Sequence, residues 1–368
     1  MKILLTGGGT AGSVIPLLAI ATELKKQKPE TEFIFIGTKK GEPEKKILEN
    51  YDIPLKSIYS GKFRRYFDLR NITDIFLIIA GFFQALQLIL KYKPDVILGA
   101  GGYVQLPVIW AAWVLRKKIL IHQQDVRPSL ANVLTYNFAN RITVTFEKSL
   151  ARFPASKTVW TGNPVRPEIL EGNKDRGYYL FNLKKGKQTI LIVGGGTGAW
   201  SLNKIVYEAL PQLLSFCQII HSTGRGKGLD IKTWFPKADE KLQNLLSENY
   251  HQFEFIKEEM KDALAVADLV ITRAGLAALT ELSILGKPLI IIPLPESHQE
   301  ENADYFEEKN AAAVIHQANL SPSILVNKIK YLSDNQDLST KLSENIKKMI
   351  KQEAAENIVQ EIFNIIKI

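Results

Sequence analysis

The chain has 368 residues, 46% hydrophobic and 23% charged, which exceeds the size at which one hydrophobic core usually stops growing and predicts two soluble domains. A single cysteine, Cys217, excludes an intrachain disulfide and fits a reducing cytosol, and the short apolar run in MKILLTGGGT falls below the length of a secretory signal core, so the protein is expected to stay inside the cell. The net charge of +9, with a pI near 9.3, predicts an anionic partner; without zinc-finger spacing, an RNP-like aromatic strand or a long basic tail, nucleic acid has no support beyond charge.

The first element, LLTGGGTAGSVIP, is an apolar strand that breaks into Gly7, Gly8, Gly9 and Gly12 before a second apolar run. Gly7, Gly9 and Gly12 fit G-x-G-x-x-G, but that fingerprint also needs an acidic residue about 20 residues on, at the end of the next strand. Here the next strand, EFIFIGTKKGE, ends in Gly37 and Thr38 with lysines following, so a nicotinamide cofactor lacks its ribose anchor. NITDIFLIIAGFFQALQLILKYK at 71–93 is long enough to consider as a membrane span. Asp74, Gln84, Gln87 and the strand that follows favour instead a domain helix with an apolar outer face. Lys62, Arg64, Arg65 and Arg70 flank it, and Trp110, Trp113, Arg116, Lys117 and Lys118 form a second aromatic and basic cluster. Apolar surface ringed by cations suits peripheral binding to anionic lipid, with a plain buried helix as the alternative.

Strand-like VILGAGG, ILIHQQD and ITVTF come next, and FPASKTVWTGNPVRPEIL, with Pro154, Pro164 and Pro167, marks a crossover. TILIVGGGTGAWSLNKIVYEAL then repeats the opening motif with Gly194, Gly195, Gly196 and Gly198, followed by QIIHSTG, LVITRAG and LIIIPLP. Short apolar strands alternating with helices predict an α/β fold of two Rossmann-like domains, residues 1–162 and 163–351, with parallel sheets whose glycine loops face each other across an interdomain cleft. The amphipathic segment within 352–368 is expected to pack back on the first domain.

Six stretches lie where strands should end: GAGGYVQLP, IHQQD, TGNPVR, GGGTGA, TRAGLAALTE and HQEENA. Each alone reads as a tight strand-to-helix turn. Together, in this order over nearly the whole chain, they resemble the MurG family, the peptidoglycan N-acetylglucosaminyltransferases of the GT-B fold in glycosyltransferase family 28. The resemblance implies inverting, metal-independent transfer of N-acetylglucosamine from UDP-GlcNAc to undecaprenyl-diphosphate-linked muramyl-pentapeptide (lipid I to lipid II), by a peripheral protein at the cytoplasmic face of the cell membrane, without a cofactor.

On the donor side, Gly275 at a strand-to-helix turn lets the amides of Leu276 and Ala277 hold a diphosphate. Glu281, one to two turns on, can accept both ribose hydroxyls, a solvated helix residue being the alternative. Arg166 offers a fork of donors to phosphate. The resemblance extends the donor set to Thr10, Ala11, Gly12, Asp125, Gly196 (where the family often has serine), Ile256 beside the uracil, Ala278, Leu279, Thr280, Gln299 and Asn302. Gly101, Gly102, Tyr103, Gln123 and Asn132 fall on the acceptor side. The glycines of the first loop read as a close-approach surface for donor diphosphate and acceptor, with Thr10 as the polar contact.

The departures from the family cluster in the first half: Ala11 stands for a glycine, Ser13 for the histidine of the loop, Gln123 for a glutamate and Asp125 for an asparagine. A serine hydroxyl is a poor base at neutral pH, so another group must take the acceptor's proton. Asp125 is the expected substitute, with His122 sharing the proton; the alternative is that Asp125 caps a helix beginning near Pro128. A different lipid-linked acceptor, or a catalytically silent donor-binding scaffold at the membrane, stay open beside the leading reading.

Overall fold

The computed structural model describes the chain apart from residues 42, 63–69, 196, 197 and 368 and the side chains at 70, 71 and 232. The chain divides into two compact units, Met1–Arg166 with Ile350–Ile368, and Pro167–Met349.

The first unit is built on seven parallel strands: β1 (Lys2–Thr6), β2 (Glu32–Thr38), β3 (Leu55–Ile58), β4 (Val96–Gly99), β5 (Lys118–Gln123), β6 (Arg141–Val144) and β7 (Thr158–Trp160), in the order β3-β2-β1-β4-β5-β6-β7. Runs such as ILLT and FIFIGT are buried on both faces, which is why they read as continuous apolar stretches and not as alternating ones. The order reverses between β1 and β4, and the loops leaving these two strands, 7–13 and 100–103, therefore share the switch point where α/β sheets take their ligands. One face of the sheet is covered by the helices Ile15–Gln27 and Ala354–Ile366, with Leu17, Ile20, Ile358 and Ile362 against Ile3 and Leu5. Arg141 of β6 pairs with Glu361 on the same terminal helix.

The opposite face carries the helices Arg70–Tyr92 and Gln105–Val114. The longer helix docks through Ile78, Ala85 and Ile89, and Gln84 accepts the amide of Tyr59 at 2.8 Å. Its residues Ile72, Ile75, Phe76, Ile79, Phe83 and Leu90, spaced to fall on one side of a helix, are exposed, as are Trp113 and Val114 nearby in the fold. Ile72–Tyr92 is long and apolar enough to cross a membrane. The cations Arg64 and Arg65 lie outside the described residues, as does the side chain of Arg70.

The second unit has six parallel strands: β8 (Gln188–Val193), β9 (Cys217–Ser222), β10 (Tyr250–Phe253), β11 (Leu269–Thr272), β12 (Leu289–Ile291) and β13 (Ala313–Val314), in the order β10-β9-β8-β11-β12-β13. Its switch point lies between β8 and β11, so the glycine loop from Gly194 and the Arg273–Gly275 turn leave adjacent strands.

Candidate active site

In the first unit, the front half of the loop after β1 is closed on itself. The buried Ser13 hydroxyl, 6% exposed, accepts the amide of Gly8 at 2.9 Å and lies 3.4 and 3.2 Å from the carbonyls of Gly8 and Thr10. The amide of Gly9 is donated to Glu44 Oε1 at 2.9 Å. Gly8 and Gly9 thus offer no free amide to a phosphate, which corrects the diphosphate reading of this half of the loop. The glycines serve packing instead. Gly9 (φ +83°) has the Tyr103 ring where a Cβ would stand, 2.5 Å from Cε1, and a Cβ on Gly102 (φ +83°) would fall 2.4 Å from the Gly8 carbonyl. Ser13 is a staple of the loop, not a proton acceptor. Thr10 and Ala11 are exposed and Gly12 is partly so, leaving the second half of the loop to face a ligand.

Behind the loop, the strand-end polar residues form one buried web. His122 is fully buried, with Nε2 2.9 Å from Asn163 Oδ1 and Nδ1 2.9 Å from Thr143 Oγ1. Burial drives its pKa down from 6.5 to about 4, against a smaller upward pull from Asn163. A neutral ring with both nitrogens engaged cannot share a proton with Asp125, so that expectation is corrected. Gln123 donates to the carbonyls of Asp125 and Arg127 and accepts from Asn132 Nδ2 at 2.7 Å. Asn132 in turn accepts from Gln105, whose Oε1 takes the amide of Gly101 at 2.6 Å. Gln123 and Asn132, both about 1% exposed, are therefore loop-holding groups and present nothing to a substrate. The helix after Pro128 is capped by Ser129, which accepts from Asn132, and not by Asp125. Asp125 itself is half-buried, where Ser13, His122 and Gln123 are sealed. Arg166, also half-buried, ends the segment from Thr161 that Asn163 ties to His122.

In the second unit, Gly275 is the N-cap of the helix Leu276–Leu285, and among the described residues a Cβ there would meet nothing within 4 Å, so they leave the space beside this helix N-terminus open. Ala277, Ala278 and Glu281 are partly exposed on its first turns. Leu276, Leu279 and Thr280 turn into the core, and the Thr280 hydroxyl is spent on the Leu276 carbonyl at 2.7 Å, so these three contribute backbone at most. Asn302, fully buried, donates to the Ala274 carbonyl and fixes the helix His298–Glu308 to the turn. Gln299, partly exposed, accepts the Leu294 amide at 3.1 Å. Ile256 is buried after β10, and Gly196 lies outside the described residues.

Two contributors have no obvious sequence signal. Glu44 sits in KKGEPEKK, which reads as a solvated charge run, yet it is fully buried. Arg273 donates to the carbonyls of Ile292 and Pro293, each at 3.0 Å, to Ser201 Oγ at 2.9 Å and to Gln317 Oε1 at 2.7 Å. One guanidinium thereby joins the ends of β11 and β12 to the helix that follows the glycine loop, Trp200–Leu213. An arginine directly after an apolar strand was the available hint.

Comparison with known proteins agrees with this layout. Residues 3–144 match the glycosyltransferase family 28 N-terminal domain and residues 189–362 its C-terminal domain. A Bacillus cereus protein named UDP-N-acetylglucosamine–N-acetylmuramyl-(pentapeptide) pyrophosphoryl-undecaprenol N-acetylglucosamine transferase 2 is 40% identical over 365 residues, 98% of this chain and 99% of its own. A Clostridium botulinum transferase of the same name, without the number, is 40% identical over 341 residues, 92% of each chain. The crystal structure of MurG from Acinetobacter baumannii superposes with a TM-score of 0.77 at 26% identity, covering 99% of both chains. The chain belongs to glycosyltransferase family 28 and, within it, to the MurG family.

Proposed function

We propose that this chain performs the transfer for which its family relatives are named, moving N-acetylglucosamine from UDP-GlcNAc to an undecaprenyl-diphosphate-linked muramyl-pentapeptide, lipid I to lipid II. The observation that carries the reading is the 40% identity along 98% of the chain with a transferase so named. The site chemistry is consistent with it. The N-terminus of the Leu276–Leu285 helix meets the charge that gathers on the departing diphosphate. In this reading Glu281 accepts the ribose hydroxyls and Gln299 contacts the sugar. The acceptor hydroxyl attacks the anomeric carbon from the face opposite UDP, the bond to the diphosphate oxygen breaks with its electron pair, and the configuration inverts.

The proton of the attacking hydroxyl goes to Asp125. Asp125 is half-exposed, while the groups at 13, 122 and 123 are buried. The exposed apolar face of Arg70–Tyr92, continued by Trp113 and Val114 beside Arg116, holds the protein on the anionic cytoplasmic leaflet, where the acceptor resides.

The decisive assay supplies UDP-GlcNAc and the lipid-linked muramyl-pentapeptide and measures disaccharide and released UDP. Stoichiometric formation of both is the expected result. Tight UDP binding without product would refute the transfer to this acceptor and favour another lipid-linked acceptor or a catalytically silent donor-binding scaffold, the readings that the changed residues Ser13, Gln123 and Asp125 motivate.

A further inference from the structure

Glu44 opens the short helix Glu44–Leu48 and is fully buried. Its Oε1 accepts two amides, that of Gly9 at 2.9 Å and that of Thr38 at 3.3 Å, so a single oxygen ties the glycine loop to the end of β2. Its Oε2 is equally buried and has no hydrogen-bond partner among the described residues. Such a group is costly to keep in the interior, and an apolar residue in its place would leave the amides of Gly9 and Thr38 without this acceptor.

The geometry around Gly9 shows what the carboxylate does. Glu44 presses on the loop from one side, where a Cβ on Gly8 would stand 2.0 Å from Oε1, and the Tyr103 ring covers Gly9 from another. Gly9 is thus held at its amide by Glu44 and at its α-carbon by Tyr103. The next residue, Thr10, is exposed, and Tyr103 is partly so. Burial, then the negative charge of Glu44, raise the Tyr103 phenol above its usual pKa, against a lowering contribution from Thr38, which keeps it a hydrogen-bond donor at neutral pH.

We propose that Glu44 is a positioning residue for the transfer reaction: through Gly9 it sets the placement of Thr10, exposed, and Tyr103, partly exposed, at the first unit's switch point. This rests on the function proposed above for the site, and it assigns the first glycine loop a carboxylate brace in place of a bound phosphate. A group of this kind affects turnover and leaves nucleotide binding in the second unit alone.

The test compares Glu44→Ala with Glu44→Gln, which keeps an acceptor oxygen at the same reach. Three quantities are read: turnover, UDP affinity, and hydrogen exchange of the peptide covering residues 6–12. For Glu44→Ala, turnover falls about 10- to 100-fold, the scale of a misplaced reacting group, UDP affinity stays within about twofold, and the peptide loses protection. Glu44→Gln retains at least about a third of the turnover and the protection. Wild-type turnover in Glu44→Ala overturns the proposal, as does parallel loss of UDP affinity, or a Glu44→Gln protein as deprotected as Glu44→Ala. If Glu44→Ala does not fold, Glu44→Asp, one methylene short of Gly9, takes its place with the same expected results. A wild-type protein that makes no disaccharide refutes the proposed acceptor, whereas the exchange comparison upholds or overturns the brace independently.

Discussion

Replacing Ser13 by alanine separates a structural hydroxyl from a chemical one. The hydroxyl accepts the Gly8 amide at 2.9 Å in a buried setting, and alanine leaves that N–H without a partner. An unsatisfied buried donor costs about 1–3 kcal/mol. For a unit of roughly 150–250 residues each kcal/mol moves the midpoint by about 2–4 °C, so the melting transition of the first unit falls by roughly 2–12 °C. Turnover measured well below that transition drops by no more than about 10-fold, below the 10²–10⁴ range of a lost general base. The assay pairs a thermal or denaturant melt with saturating steady-state kinetics. An unshifted melt with turnover down by about 100-fold or more would refute the staple and return Ser13 to the chemistry. By the same geometry, Ser13→His does not restore a family base. The position is 6% exposed, so an imidazole must displace the loop, and slower turnover is expected.

Asp125→Asn should lower turnover by about 100-fold or more while UDP affinity, measured by calorimetry, is unchanged; full turnover removes Asp125 from the mechanism. Burial depresses His122 to about 4 and His221 to about 3 from 6.5. Each takes up its proton on unfolding, so the stability it lends is complete above the unfolded value and is lost as pH falls below it. Each histidine contributes a slope of up to about 1.4 kcal/mol per pH unit there, and denaturant titrations at about pH 7.5 and about pH 5.5 that give equal stability would contradict this. Arg273→Lys cannot reach four acceptors and should weaken UDP binding by about tenfold or more, with retention of affinity as the contrary result. Exchanging the exposed Phe76 and Phe83 for aspartate should cut binding to vesicles of anionic phospholipid by at least about tenfold without changing UDP affinity; unaltered flotation would place the lipid contact elsewhere.

The alternation of apolar strands with helices, and the recurrence of a glycine loop at Gly194, were legible because strands buried on both faces leave unbroken apolar runs and tight turns demand glycine. The outcome for individual polar residues was not. Gln123 and Asn132 stand where substrate contacts would, yet their amides are spent on the backbone of 122–127 and on one another. Nothing in one sequence distinguishes an amide that binds a ligand from one that holds the loop beside it, because both need the same donors and acceptors at the same strand end. Glu44 is the converse case. Its neighbours Lys45 and Lys46 make the segment look solvated, and only the return of β2 beside the first loop turns the glutamate inward. Gly8 and Gly9 of that loop carried a true signal with a different cause: the close approach is to Glu44, Gly102 and Tyr103.

The first unit is assembled from both flanks of the second, and this sets an order of events during synthesis. Ile3, Leu5 and Leu17 leave the ribosome early, but Ile358 and Ile362, which cover them, follow only after the whole of Pro167–Met349 has been made. At the about 5–20 residues per second of translation, that apolar face stays uncovered for roughly 20–70 seconds, most of it taken up by synthesis of the second unit. The half of the molecule begun first is therefore the half finished last, and its nascent form is the one that needs shielding from aggregation.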